Sequence, residues 1–155
     1  MSDIHFTPKH IAKDCIEYFK PTGRILDPCR GEGVFFDNLP KGTEWCELTM
    51  GRDFMEWEEP VDWIMSNPPY SCFRAWLRHS MKIADNIVYF LPVFKVTNSC
   101  QVWDDSRKFG GIKSLRIYIR AGIPWQRGRP LCAAHWQRGW DGGIDISYYS
   151  PAISG

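Results

Sequence analysis

The chain has 155 residues, 44% of them hydrophobic and 24% charged, with a formal net charge of +1. A chain of this length buries ~70% of the surface its unfolded form exposes, so a single globular domain stands without a disulfide or metal staple, and disorder is excluded. The longest uncharged apolar run, Asn86 to Phe94, falls well short of the ~20 residues of a membrane span, and the N-terminus has no signal-like apolar stretch, so a cytoplasmic protein with no membrane partner is expected.

In chain order, Thr7-Pro8 opens a helix over Lys9 to Phe19, with Ile11, Ala12, Cys15, Ile16 and Phe19 at helical spacing. Pro8 suits the first helical position, and Pro21-Thr22-Gly23 stops the run. Arg24 to Asp27 is a short strand ending in the turn Pro28-Cys29-Arg30-Gly31-Glu32-Gly33, after which a brief helix through Leu39 is expected. Glu44 to Leu48 and Val61 to Met65 predict strands, Phe73 to Ala84 a helix, and Asn86 to Leu91 a third apolar strand. Phe73, Trp76 and Leu77 fall on one helical face and are assigned to the core. Thr97 to Lys108 is a weaker helix, and Lys113 to Arg120 alternates apolar and basic residues as a strand does. Residues 121–143, rich in Gly, Pro, Trp and Arg, predict a long irregular connection, and Ile144 to Tyr149 the last strand. Strands alternating with helices indicate an α/β sheet with helices on its faces.

The six cysteines and four histidines are scattered with no close pair, so no metal is expected and the thiols are read as buried small hydrophobes of a reducing compartment. Charge is segregated. Between Glu44 and Asp62 seven acids face the single base Arg52, whereas Lys113, Arg116, Arg120, Arg127, Arg129 and Arg138 come with no acid between Lys113 and Trp140. Such a basic stretch, with indoles interleaved at Trp125-Gln126-Arg127-Gly128-Arg129 and His135-Trp136-Gln137-Arg138, suits phosphate contact and stacking on unpaired bases. The bland alternative is packing aromatics and solvated arginines.

Two constellations carry chemistry. The turn from Asp27 to Gly33 sits between strand and helix, where glycines let backbone approach a ligand. Glu47, 47 − 27 = 20 residues after Asp27, is placed for the hydroxyls of a nucleoside ribose. The second is Asn67-Pro68-Pro69-Tyr70, after the strand Val61 to Met65. Two prolines fix the backbone and remove two donors, so the Asn67 carboxamide oxygen and the Pro68 carbonyl form a pair of acceptors for one amino group, with the Tyr70 ring beside them.

The ordered set Phe6-Thr7-Pro8, Asp27-Pro28-Cys29-Arg30-Gly31-Glu32-Gly33-Val34-Phe35, Glu47, Asp53-Phe54 and Asn67-Pro68-Pro69-Tyr70 resembles the S-adenosylmethionine-dependent amino-methyltransferases, specifically their DNA adenine N6 branch. The resemblance covers roughly the first half of the chain. It implies a Rossmann-like class I fold, a seven-stranded, mostly parallel sheet with a terminal antiparallel hairpin, which residues 113–149 are expected to supply. It further implies that Phe6, Thr7 and the turn containing Asp27, Pro28, Cys29, Gly31 and Gly33 hold the methionine part of S-adenosylmethionine. Glu47, with Leu48 beside it, would bind the ribose, Asp53 would accept from the cofactor's adenine, and Phe54 would pack near that ring. Asn67, Pro68, Pro69 and Tyr70 would be the catalytic corner, with Tyr70 stacked on a flipped-out target base. Arg74, Trp125, Arg127, Arg129 and Arg138 are the expected nucleic-acid contacts. The chain is expected to be one catalytic domain over 1–155 with no separate target-recognition domain, acting on DNA, with RNA the closest rival, as a homo-oligomer or with a partner subunit. RNA amino groups, a protein glutamine amide and a non-catalytic methyltransferase-like subunit are the alternatives.

Overall fold

The computed structural model describes residues 6–119, 122, 123, 126 and 128–149. Helix α1 (Lys9–Phe19) buries Ile11, Ala12 and Cys15, as its spacing predicts. It stops at Lys20, whose left-handed backbone lets its amide close on the Ile16 carbonyl. Then come β1 (Ile25–Asp27), β2 (Glu44–Trp45), β3 (Val61–Ser66), α2 (Phe73–Ile83), β4 (Ala84–Pro92), α3 (Val93–Thr97), α4 (Cys100–Phe109), β5 (Gly110–Tyr118), β6 (Leu131–Arg138) and β7 (Asp145–Tyr149).

The seven strands form one sheet in the order β2-β1-β3-β4-β6-β5-β7. Strand β6 alone runs against its neighbours, pairing antiparallel with both β4 and β5, and the remaining pairs are parallel. Side chains of a strand alternate between faces, so a central strand feeds two cores. In β4, Ile87, Tyr89 and Leu91 pack with Phe73 and Leu77 of α2 and Val102 of α4, while Val88 and Phe90 pack with Ile11, Ala12 and Cys15 of α1. The expected assignment of Phe73 and Leu77 to the core holds.

Three expectations are corrected. The stretch 121–143 is not one irregular connection, because Leu131–Arg138 is a fully paired interior strand. Its alanines and histidine hide it: a strand squeezed between two others and covered on both faces takes small residues, which score poorly as strand formers. The antiparallel hairpin is therefore β5 with β6, and β7 is an edge strand lying parallel to β5. Second, the helix after the glycine turn is a single 3₁₀ turn, Phe36–Asn38. Third, the helix expected over Thr97 to Lys108 starts three residues later, as α4, where Ser99 caps it by accepting from the Val102 amide at 3.3 Å, and Thr97 is instead the last residue of α3.

Candidate functional site

Strand β1 has β2 on one side and β3 on the other, so the chain leaves its carboxyl end in one direction and returns from the opposite one. Such a switch point opens a crevice beyond the strand ends. A cavity of about 620 Å³ lies there, walled by the turn after β1, the turn after β3 and the segment entering α1. That size suits a small organic ligand.

The floor is built around Asp27, the last residue of β1, which is fully buried. Its Oδ1 accepts from the Cys29 amide at 3.1 Å and from the Ser66 hydroxyl at 2.6 Å, tying the ends of β1 and β3 together. Its Oδ2 has no hydrogen-bond partner. Burial pushes the pKa of Asp27 up to about 7, against the opposing bonds from Ser66 and Cys29. Above it, Gly31 and Gly33 have φ of 55° and 89°, conformations that other residues rarely adopt. A Cβ on Gly31 would approach no atom closer than 4.0 Å, so the backbone there borders open cavity and not packed protein.

Glu47 closes the next side. Its Oε1 accepts from the Gly31 amide at 2.9 Å, and its Oε2 from the Thr49 amide and hydroxyl at 3.1 and 2.9 Å. Partial burial opposes its charge, but the bonds from Thr49 and Gly31 outweigh that and hold the carboxyl below its ordinary range. Cys29 also lines the cavity; burial first, then the charges of Asp27 and Glu47, push its thiol up to about 12, so it is neutral and no nucleophile.

Opposite stand Asn67, Pro68 and Pro69. The Asn67 carboxamide nitrogen donates to the Thr7 hydroxyl at 2.9 Å. Phe6, Thr7, Cys29, Gly31, Glu47, Asn67, Pro68 and Pro69 thus share one cavity, with Asp27, Pro28 and Gly33 buried in its supporting turn. Residues not singled out by sequence also contribute. Lys9, Asp37 and Asn38 line the wall, while Ser66 and Thr49 hold the two carboxylates. Only the position of Ser66 next to Asn67 hinted at any of these.

Other expected residues lie elsewhere. Tyr70 is 7% exposed and outside the cavity lining; the 3₁₀ turn Tyr70–Cys72 carries its ring into the core, where its hydroxyl donates to the Phe90 carbonyl at 3.4 Å. Phe54 is likewise core, packed on Trp76 and His79 with ring centroids 4.8 Å apart in each pair. Asp53 caps its 3₁₀ turn by accepting from the Met55 amide at 2.9 Å, and Leu48 is exposed on the turn after Glu47.

The basic run does not form one face, because strand alternation and pairing disperse it. Arg116 pairs with Asp14 at 2.6 Å, and Trp136 is fully buried with its indole N–H on the Ser106 hydroxyl at 2.8 Å. Arg138 sits at the amino end of β4, away from the cavity, where it pairs with Asp85 and donates to the Met81 and Ala84 carbonyls. That placement lends its expected role as a nucleic-acid contact no support. Arg129 remains at the carboxyl end, exposed and 5.5 Å from the centroid of the half-exposed Phe94 ring, with Lys95 beside it. Arg74, in the first turn of α2, pairs with Asp105 at 2.9 Å. Trp125 and Arg127 lie outside the described residues. The acidic segment is also spent locally: Glu44 and Glu59 both pair with Arg24. Among the described residues no cluster of three His, Cys, Asp or Glu side chains is placed to hold a metal, and no helix is long and apolar enough to cross a membrane.

This donor set fits an amino-acid nucleoside such as S-adenosylmethionine. An open glycine cradle at Gly31 and the Glu47 carboxylate, held charged over the turn, suit ammonium and hydroxyl donors.

No protein-family model and no curated protein matches the chain. Solved structures do resemble it. A candidate class I S-adenosylmethionine-dependent methyltransferase from Listeria monocytogenes superposes with a TM-score of 0.69 at 11% identity, over 99% of this chain and 68% of that one. A modification subunit of a candidate type I restriction enzyme from Vibrio vulnificus YJ016 gives 0.65 at 12% identity, over 97% of this chain and 48% of that one. The chain thus spans about half the length of the Vibrio subunit. A candidate RNA methyltransferase from Pyrococcus horikoshii gives 0.60 at 15% identity, over 86% of each chain. The fold is that of class I methyltransferases.

Proposed function

We propose that the chain is an S-adenosylmethionine-dependent methyltransferase acting on the exocyclic N6 amino group of adenine in DNA. The observation that carries this reading is the convergence of Asn67 and Pro68 on the same cavity as Gly31 and Glu47, so that an amine acceptor site adjoins a nucleoside-type site.

What the cofactor supplies is a methyl group on a sulfonium, a leaving group that departs with the C–S electron pair. The residues do the positioning. Asn67 Oδ1 and the Pro68 carbonyl accept the two amino hydrogens, which draws the nitrogen lone pair out of the ring plane and towards the methyl. As the N–C bond forms they stabilise the positive charge on nitrogen until one proton leaves to solvent. Asp27 and the Gly31 turn hold the amino-acid end, and Glu47 the ribose.

DNA is supported by the likeness to the Vibrio modification subunit and by Phe94, Lys95 and Arg129 clustered past the carboxyl end of β4. The likeness to the Pyrococcus protein over most of both chains favours RNA as the second reading. The test offers labelled S-adenosylmethionine with DNA, RNA and protein pools, followed by nucleoside analysis. Label in N6-methyladenine of DNA supports the proposal; label confined to RNA or protein replaces it, and none in any pool ends it.

A further inference from the structure

Thr7 and Asn67 stand 60 residues apart in the chain yet meet at the cavity wall, the carboxamide nitrogen donating to the hydroxyl at 2.9 Å. The Thr7 side chain is buried and its backbone adjoins the first turn of α1. Thr7 is 6% exposed, and the next residue, Pro8, starts α1 with its carbonyl accepting from the Ile11 and Ala12 amides. A carboxamide has a donor end and an acceptor end of nearly the same shape, and a half-turn about its last bond exchanges them. One sense presents oxygen to an incoming amine, while the other presents N–H groups that repel it. With its nitrogen turned to Thr7, Asn67 has its oxygen on the far side of the group by covalent geometry.

Resting on the methyltransferase reading above, we propose that Thr7 is a positioning residue that selects the productive sense of the Asn67 carboxamide. The contact couples the segment entering α1 to the corner after β3, so the amine acceptor is complete only when both are docked. Thr7 therefore influences turnover through Asn67 and not merely through binding at the cavity.

The test compares Thr7→Val, which keeps the shape but loses the acceptor, with Thr7→Ser, which keeps it, in the full-length protein with melting curves as a check on folding. At saturating S-adenosylmethionine, Thr7→Val is expected to lower kcat about 10- to 100-fold with little change in KM for the nucleic acid, and Thr7→Ser to restore most of it. Added to Asn67→Ala, Thr7→Val should cost nothing further. Unchanged kcat at saturation, or an equal loss in the Asn67→Ala background, overturns the proposal. A second readout is independent of turnover: the Asn67 side-chain amide pair in ¹⁵N spectra, identified by its loss in Asn67→Ala, should move in Thr7→Val and stay in Thr7→Ser. An amide pair that stays put in Thr7→Val also overturns the proposal. A wild-type protein that methylates nothing counts against the methyltransferase reading, and the spectra then judge the hold of Thr7 on Asn67 by themselves.

Discussion

Asp27 and Asn67 are both polar groups at strand ends, but the structure treats them differently. Asp27 is buried with one oxygen unpartnered, so the folded state favours its protonated form, with a pKa of about 7 against an ordinary 3.8. Because the folded state then binds more protons than the unfolded one, stability is highest below the unfolded pKa and falls as pH climbs towards 7, with the full penalty above it. Asp27→Asn removes that penalty. Its melting temperature is expected to match wild type near pH ~4 and to exceed it increasingly up to pH ~8; a constant offset across that range contradicts the assignment. Asn67, by contrast, lines the cavity, and in the proposed methyltransferase reading it acts on the substrate amine. Asn67→Ala is expected to lower kcat by about 10²–10³, the usual cost of losing one transition-state hydrogen-bond partner. Calorimetric affinity for S-adenosylmethionine should change little, and equal losses in both would mean that Asn67 serves cofactor binding.

At the level of elements, β6 is the piece on which the sheet depends. It pairs on both edges and supplies Leu131 and Ala133 to one core and Cys132, Ala134 and Trp136 to the other. Trp136→Ala removes a fully buried ring and the hydrogen bond that the Ser106 hydroxyl accepts from it, so urea denaturation should show a loss of about 3–5 kcal/mol. A loss below ~1 kcal/mol would place Trp136 at the surface, as the stacking role read from its basic neighbours requires. The two turns flanking the switch point are short and pinned: the glycine turn by Glu47 and Asp27, the proline corner by Thr7. Rigid attachment of this kind suits a reaction in which alignment is the main contribution.

Across the whole molecule the charge pattern read along the chain is redistributed by folding. Arg138 and Arg129 lie nine residues apart in the same basic stretch, yet β6 carries them to opposite ends of the sheet. Arg129→Ala is expected to weaken nucleic-acid binding and to reduce the magnitude of its log–log salt slope by about 1, the value for one phosphate contact, whereas Arg138→Ala leaves the slope unchanged. The reverse result would move the binding face to the amino ends of the strands. The amino-acid order alone was enough for the α/β class, for α1 with its buried Ile11, Ala12 and Cys15, and for bringing the Asp27 turn, Glu47 and the Asn67 corner into one site. These signals are local, resting on helical period, strand-turn punctuation and proline geometry within a few residues. Folding in three dimensions decided that Leu131–Arg138 is an interior strand, that Tyr70 and Phe54 belong to the core, and that Thr7 meets Asn67. Each of those depends on which distant segment lies across from the residue, and burial between partners far away in the chain leaves no periodic trace along it.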